Sequence, residues 1–139
     1  QLDKDFIFVS SIESGTGEDI SLNQSDIREV QLAKSAIISG VKILLKQSGL
    51  TFDMLDTLFL AGGFGNYINI ESAIRIGLLP FQLKDKIIPL GNTSGTGALA
   101  AVKSIRFDDA MNSVISKSIL VELANDEDFA MEFAMNMMF

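Results

Sequence analysis

The sequence predicts an α/β domain with helices packed on a sheet, and three observations carry that prediction. The centre of the chain alternates helical periodicity with short apolar runs, in the order helix, strand, helix, strand, helix. Two glycine clusters, "LAGGFGN" at 60–66 and "GNTSGTGA" at 91–98, stand where an apolar run ends and a helical pattern begins. One segment, "LNQSDIREVQLAKSAIISGVKILLKQSGL", reads as a single long helix with start and stop signals at its two ends.

Taken in order, "DFIFVSS" (5–11) reads as a strand, "IESGTGE" as a turn built on Gly15 and Gly17, and "DISL" as a second strand closing a hairpin. The long helix is expected over about 24–48. Asn23 with Asp26 three residues later forms a capping-box pattern, Asp replacing the usual Glu. Ile27, Val30, Ile37, Val41, Leu44 and Leu45 recur at helical spacing as an apolar stripe, and Gly49 is a stop. "LDTLFLA" (55–61) is predicted as a buried strand, and "NIESAIRIGLL" (69–79) as a helix ended by Pro80. "DKIIPLG" (85–91) is a second short strand, and "SGTGALAAVKSI" (94–105) and "FDDAMNSVISKSI" (107–119) are helical. "LVEL" (120–123) is expected to be a final strand. In the tail "DEDFAMEFAMNMMF", Phe129, Phe133 and Met137 fall at i, i+4 and i+8, a stripe suited to packing on this domain or on a partner.

At 139 residues the chain fits one domain able to bury a core. Hydrophobic residues make up 47% and the mean hydropathy is +0.32, yet no apolar run reaches the roughly 18–20 residues that span a bilayer. The apolar excess therefore belongs in a buried sheet or against a partner surface. A net charge of −7 without a basic stripe argues against nucleic-acid and anionic-membrane partners. With neither Cys nor His, disulfides, thiolate or imidazole metal sites and His-based catalysis are excluded. No secretory pattern opens the chain, so a cytoplasmic location is expected. The first residue is Gln1 rather than Met, which suggests part of a longer protein.

Three features carry candidate chemistry. Gly62, Gly63 and Gly65 sit between a strand and a helix, where a glycine loop lets a nucleotide or anion approach the main chain. A tight, closely packed turn needs the same residues. In the second cluster, Gly95-x-Gly97-x-x-Ala100 matches a dinucleotide fingerprint, with Glu122 as a ribose partner. Four residues separate the strand from Gly95, so a small-residue helix start is the better reading. A Walker A loop is absent, since no Lys-Ser or Lys-Thr follows these glycines. Finally, Lys34 projects within about 20° of Ile27 on the long helix, inside the apolar stripe, with Gln31 at its edge. A cation there needs a partner or a route to solvent. It either meets a polar ligand with Gln31 or snorkels.

The segments "QSDIREVQLAKSAI", "LFLAGGFGNYINIESAIRIGLLP" and "IIPLGNTSGTGALAA" together resemble the C-terminal part of the reductive activators of corrinoid proteins. The resemblance is strong over about 18–105 and weak at the flanks. It implies one half-domain of an actin-like (RNase H-like) ATPase fold, a mixed sheet with flanking helices. That superfamily unites acetate and sugar kinases, heat-shock ATPases and actin. Residues 1–139 would then be the C-terminal half-domain of a larger, ATP-dependent protein with a 2Fe–2S ferredoxin domain elsewhere.

Carried onto this sequence, the resemblance makes Gly62 and Gly63 the glycine pair of the adenosine motif, continued by Phe64, Gly65 and Asn66. Gln31 and Lys34 become the polar groups that the long helix turns towards the adenosine. Asn92 would approach the base. The cofactors implied are ATP with Mg²⁺, and the 2Fe–2S cluster in a domain that this chain does not contain. The implied partners are a corrinoid protein of a methyl-transfer pathway and the rest of the same polypeptide; separately, the apolar excess of the composition leads to the expectation of a second copy in a homodimer. The phosphate and metal motifs of the superfamily are not visible, so no catalytic or metal-binding residue is assigned here. Alternatives are a non-catalytic interaction or oligomerisation domain with structural glycines, or a dinucleotide-binding oxidoreductase fragment.

Overall fold

The computed structural model describes residues 5–139, apart from the side chains of Phe64, Asn66 and Ile105. Strand β1 (Phe6–Val9) pairs antiparallel with β2 (Ile20–Leu22), forming the expected hairpin. The Asp19 carboxylate accepts from the Ser11 amide across its mouth. Helix α1 (Gln24–Gln47) follows at once.

Both ends of α1 are set by local chemistry. The Asp26 amide donates to Asn23 Oδ1 at 3.0 Å, and the Asn23 amide donates to Asp26 Oδ2 at 2.9 Å, so the capping box is complete. At the other end Gly49 takes φ +67, and the Leu50 amide reaches back to the Leu45 carbonyl at 2.9 Å.

The buried face of α1 is not the apolar stripe. Lys34, Ser35, Ile38, Ser39, Gly40 and Ile43 are buried, whereas Ile27, Val30, Ile37 and Leu44 are each at least 40% exposed. The expectation that the stripe faces the core is corrected by what lies against the helix. The C-terminal helix α6 (Phe129–Met135) lies there: Ser35 donates to its Phe133 carbonyl and Lys42 to its Glu132 carboxylate, while Ser39 accepts from Asn136, the residue that caps its end.

Beyond α1 a short 3₁₀ turn (Phe52–Met54) leads into β3 (Leu58–Ala61). Next come α2 (Gly62–Tyr67) and α3 (Ile70–Arg75), a 3₁₀ segment (Phe81–Lys86), and β4 (Ile87–Gly91). Strands β3 and β4 pair in parallel with Leu58 opposite Ile87 and Leu60 opposite Pro89. The intervening helices make the crossover that a parallel pair requires. Leu90 is the extra residue of a bulge, after which Ala61 pairs with Gly91.

Helix α3 ends before the predicted Pro80. Gly77 at φ +80 lets the Leu78 amide bond to the Ala73 carbonyl at 2.8 Å, and this turns the chain four residues early. The same turn carries Leu78 and Leu79 into a core with Ala73, against which Leu58, Leu60, Ile70, Ile74 and Ile87 pack.

Helices α4 (Thr93–Lys103) and α5 (Ile105–Lys117) follow. The final strand predicted at 120–123 is absent: residues 118–122 take no regular structure and Leu123–Asn125 form a 3₁₀ turn. Leu123 instead packs on α1, its Cδ1 3.0 Å from where a Cβ of Gly40 would stand. The mixed strand directions of the predicted sheet are present, divided between two two-stranded sheets.

Candidate functional site

The expected glycine loop is in fact the first turns of a helix. Strand β3 ends at Ala61, Gly62 breaks it with φ +93, and the chain winds immediately into α2. The three glycines have different physical reasons. Gly62 needs a left-handed backbone, which costs an L-residue roughly 1–2 kcal/mol. Gly65 is buried, and a Cβ there would stand 2.9 Å from Leu60 Cγ and 3.3 Å from the Leu60 carbonyl carbon. Gly63 is exposed, has an ordinary φ and faces open space, with nothing within 4 Å of a Cβ. Close packing explains Gly65 and conformation explains Gly62, but neither explains Gly63. The side chains of Phe64 and Asn66 lie outside the described residues.

Parallel pairing places the second glycine cluster beside the first. Ala61 is opposite Gly91, so Gly62 and Asn92 leave the two strands at the same, C-terminal, end of the sheet. Open α/β sheets bind their ligands at that end. Asn92 caps α4, its Oδ1 accepting from the Gly95 amide at 3.0 Å, and a Cβ on Gly95 would crowd the Asn92 amide at 3.0 Å. Gly95 therefore has a local reason, the small-residue helix start. Glu122, considered as a ribose partner, accepts from Asn125 Nδ2 at 2.6 Å.

The other two predicted residues stand on α1. Lys34 is only 3% exposed, donates to the Met138 carbonyl and lies 4.7 Å from the centroid of the Phe139 ring. It does not snorkel. Burial pushes its pKa below the ordinary 10.5, because desolvation disfavours the charged form. Gln31 lines an open cleft of about 660 Å³ with Phe6, Leu22, Asn23, Arg28 and Met137. Neither the glycines nor Lys34 line that cleft, so the structure does not bring the predicted set together. Lys34 Nζ lies 3.5 Å from a Cβ position on Gly77, just past the end of α3.

Sequence reasoning missed the residues that hold the tail on α1. Lys42 pairs with Glu132 at 3.0 Å and Lys46 with Asp128, an antiparallel ladder of two i, i+4 pairs. Asn136 donates to Ser39 Oγ at 3.1 Å and accepts from Lys42 at 3.0 Å. The matching four-residue spacings of two lysines and two acids were the available signal. Hydrogen bonding to Asp128 raises the pKa of Lys46. Among the described residues no group of three or more acidic side chains could hold a metal ion, and no helix is long and apolar enough to cross a membrane.

Comparisons with known proteins add to this geometry. A family model described as the C-terminal domain of RACo, the ASKHA domain, matches residues 1–139. The corrinoid activation enzyme RamQ of Eubacterium limosum is 37% identical over 134 residues, covering 96% of this chain and 23% of that protein. The Co(II) methylated amine-specific corrinoid protein reductase of Methanosarcina barkeri is 32% identical over 117 residues, 81% of this chain and 21% of that one. A solved structure of a reductive activator for a corrinoid, iron–sulfur protein superposes with a TM-score of 0.83 at 34% identity, over 96% of this chain and 22% of that chain. The chain thus spans less than a quarter of the length of each of these relatives.

Proposed function

Since the chain belongs to the family of C-terminal ASKHA domains of reductive activators of corrinoid proteins, we propose that it forms one wall of an ATP-binding cleft. The intact protein would restore an inactivated corrinoid protein by delivering one electron to Co(II). That electron would come from a 2Fe–2S domain elsewhere in the polypeptide. Bound ATP with Mg²⁺ would supply the free energy that makes the transfer favourable.

The observation that carries this reading is the parallel register of β3 and β4. It brings Gly62, Gly63 and Asn92 to one end of the sheet, and Gly63 is the glycine that packing leaves unexplained. In the proposed site the Gly62–Gly63 main chain lies against the nucleotide, followed by Phe64 and Asn66. Gly65 seats the turn on Leu60 so that the main chain is held in place. Asn92 has committed Oδ1 to Gly95, which leaves Nδ2 to donate to a base. From α1, Gln31 would face the nucleoside, and Lys34 would reach it only by giving up the Met138 carbonyl.

Phosphate and metal ligands would come from other parts of the protein, as would the iron–sulfur cluster. The rest of the polypeptide is proposed to cover the sheet residues Phe59, Ile88 and Leu90, which are 46–61% exposed. A cytoplasmic location, a homodimer and a place beside a methyl-transfer reaction complete the proposal.

Calorimetric titration of the intact protein with ATP, ADP and NAD tests it. Binding of ATP or ADP that Gly63→Val weakens supports the reading. Binding of NAD alone would favour the dinucleotide alternative, and no binding at all would favour an interaction domain.

A further inference from the structure

We propose that the pocket formed by Arg75, Phe81 and Lys84 is a docking site for an acidic surface of the corrinoid protein, at the end of the sheet opposite the nucleotide. The inference rests on the function proposed above and adds where that partner binds.

The first observation is the pocket itself. The 3₁₀ segment Phe81–Lys86 buries Leu83 completely and turns Phe81 outwards, 72% exposed. A lone exposed phenylalanine is ordinary on a protein surface. Phe81, however, lines an open pocket of about 350 Å³ with Glu71, Ile74, Arg75 and Lys84. That volume is at the small end of ligand sites, roughly 300–1,000 Å³, and suits side chains presented by a partner.

The second observation is charge. The chain carries −7, yet two cations and one carboxylate line this pocket. Glu71 does not satisfy Arg75: the two are 3.8 Å apart with both side chains at least 75% exposed, a contact that contributes little. Among the described residues no ion pair holds the Lys84 ammonium. Lys42 and Lys46, by contrast, are held by carboxylates of the tail, and Lys86 by the Leu55 carbonyl. A ring beside a free guanidinium and ammonium matches carboxylates set among apolar side chains, and aromatic residues and Arg are the groups enriched where proteins meet.

The third observation is position. Lys86 ties the 3₁₀ segment to Leu55 at 2.6 Å, and Leu58 pairs with Ile87 where both strands begin. The pocket therefore stands on the segment that leads into the N-terminal end of the sheet, whereas Gly62 and Asn92 leave the other end. A partner seated here keeps the nucleotide end uncovered. Both can be held at once, as a transfer driven by bound ATP requires.

The test uses the intact protein and its purified corrinoid protein. Reversing both charges, Arg75→Glu with Lys84→Glu, should weaken the complex about tenfold or more at about 0.1 M salt, and the difference should shrink at about 1 M. Phe81→Ala should weaken it about fivefold. All three side chains are exposed, so thermal melts should match the wild type, and ATP affinity should be unchanged. Wild-type affinity for the corrinoid protein in these variants, or a loss that salt leaves unaltered, would overturn the docking site while leaving the proposed function standing. A fall in ATP affinity would assign the pocket to the nucleotide site and overturn it too. Inorganic phosphate that binds the wild type but not the charge-reversed variant, with the complex intact, would make this a small-anion site only and likewise overturn it. Failure of the wild type to bind the corrinoid protein would remove the proposed function and this inference with it.

Discussion

Gly65 lies directly on Leu60: a Cβ added to the glycine would stand 2.9 Å from Leu60 Cγ and 3.4 Å from the Leu60 carbonyl oxygen. The first turn of α2 is thus pressed against the strand that precedes it. Relief would require moving main chain, because the contact includes backbone atoms. Gly65→Ala should destabilise the domain by about 1–3 kcal/mol, despite the higher helix propensity of alanine. A urea midpoint equal to that of the wild type would show that the turn has room to spare.

Gly62 and Gly63, adjacent in sequence, should respond oppositely. Gly62→Ala forces an L-residue to φ +93 and should cost about 1–2 kcal/mol. Gly63→Ala meets open space at an ordinary φ, so its stability should stay the same or rise by up to about 1 kcal/mol. Gly63→Val should likewise keep its melting temperature while losing ATP affinity in the intact protein. A collapse in melting temperature with normal ATP binding would make this glycine structural as well.

Lys34 provides a pH test. Its folded pKa lies below the unfolded value of 10.5. Between those two values the unfolded chain holds a proton that the folded chain has released. Stability therefore rises with pH in that window, and the cost of the buried ammonium is fully present below it. Compared with Lys34→Met, the wild type should gain stability as the pH is raised through the window that ends at the unfolded value of 10.5. Paired chemical denaturation series decide the matter; a difference that is flat, or that moves the other way, means the ammonium is not desolvated.

Asn23→Ala removes one half of the α1 capping box and leaves the Asp26 amide without its acceptor. A loss of about 1 kcal/mol is expected. Asn23→Ser should recover most of it, because Ser also caps. Thermal denaturation of the pair reads the result.

The isolated 139-residue chain should show no Mg-dependent ATP hydrolysis, since transfer of a phosphoryl group needs positioned phosphate and metal ligands. It should also self-associate. Phe6, Phe8, Phe59, Ile88 and Leu90 are each at least 46% exposed, and burying them outweighs screened repulsion from a charge of −7. Sedimentation velocity at micromolar concentration should show species above 15.1 kDa. A single 15.1 kDa boundary, or turnover free of contaminating ATPase, would contradict the respective expectation.

The sequence by itself determined whatever depends on a few neighbouring residues. The capping box of Asn23 and Asp26, the turn of the hairpin before it, the β3 and β4 runs and the small-residue helix start near Ser94 all rest on hydrogen bonds or patterns within about four residues. The three motif segments were enough to point to the family. Tertiary structure decided what depends on a distant partner. The face of α1 that is buried was chosen by α6, through contacts such as Lys42–Glu132 across 90 positions. Periodicity alone favoured Ile27, Val30 and Ile37 and could not anticipate Ser35 and Ser39. The "LVEL" run had the composition of a strand, but strand structure needs a neighbouring edge, and Leu123 packs on Gly40 of α1 instead. The three glycines were equally visible in sequence, yet their separate reasons were not. Only the position of Leu60 and the backbone angle at Gly62 distinguish a packed glycine from a strained one, and both from the one left open.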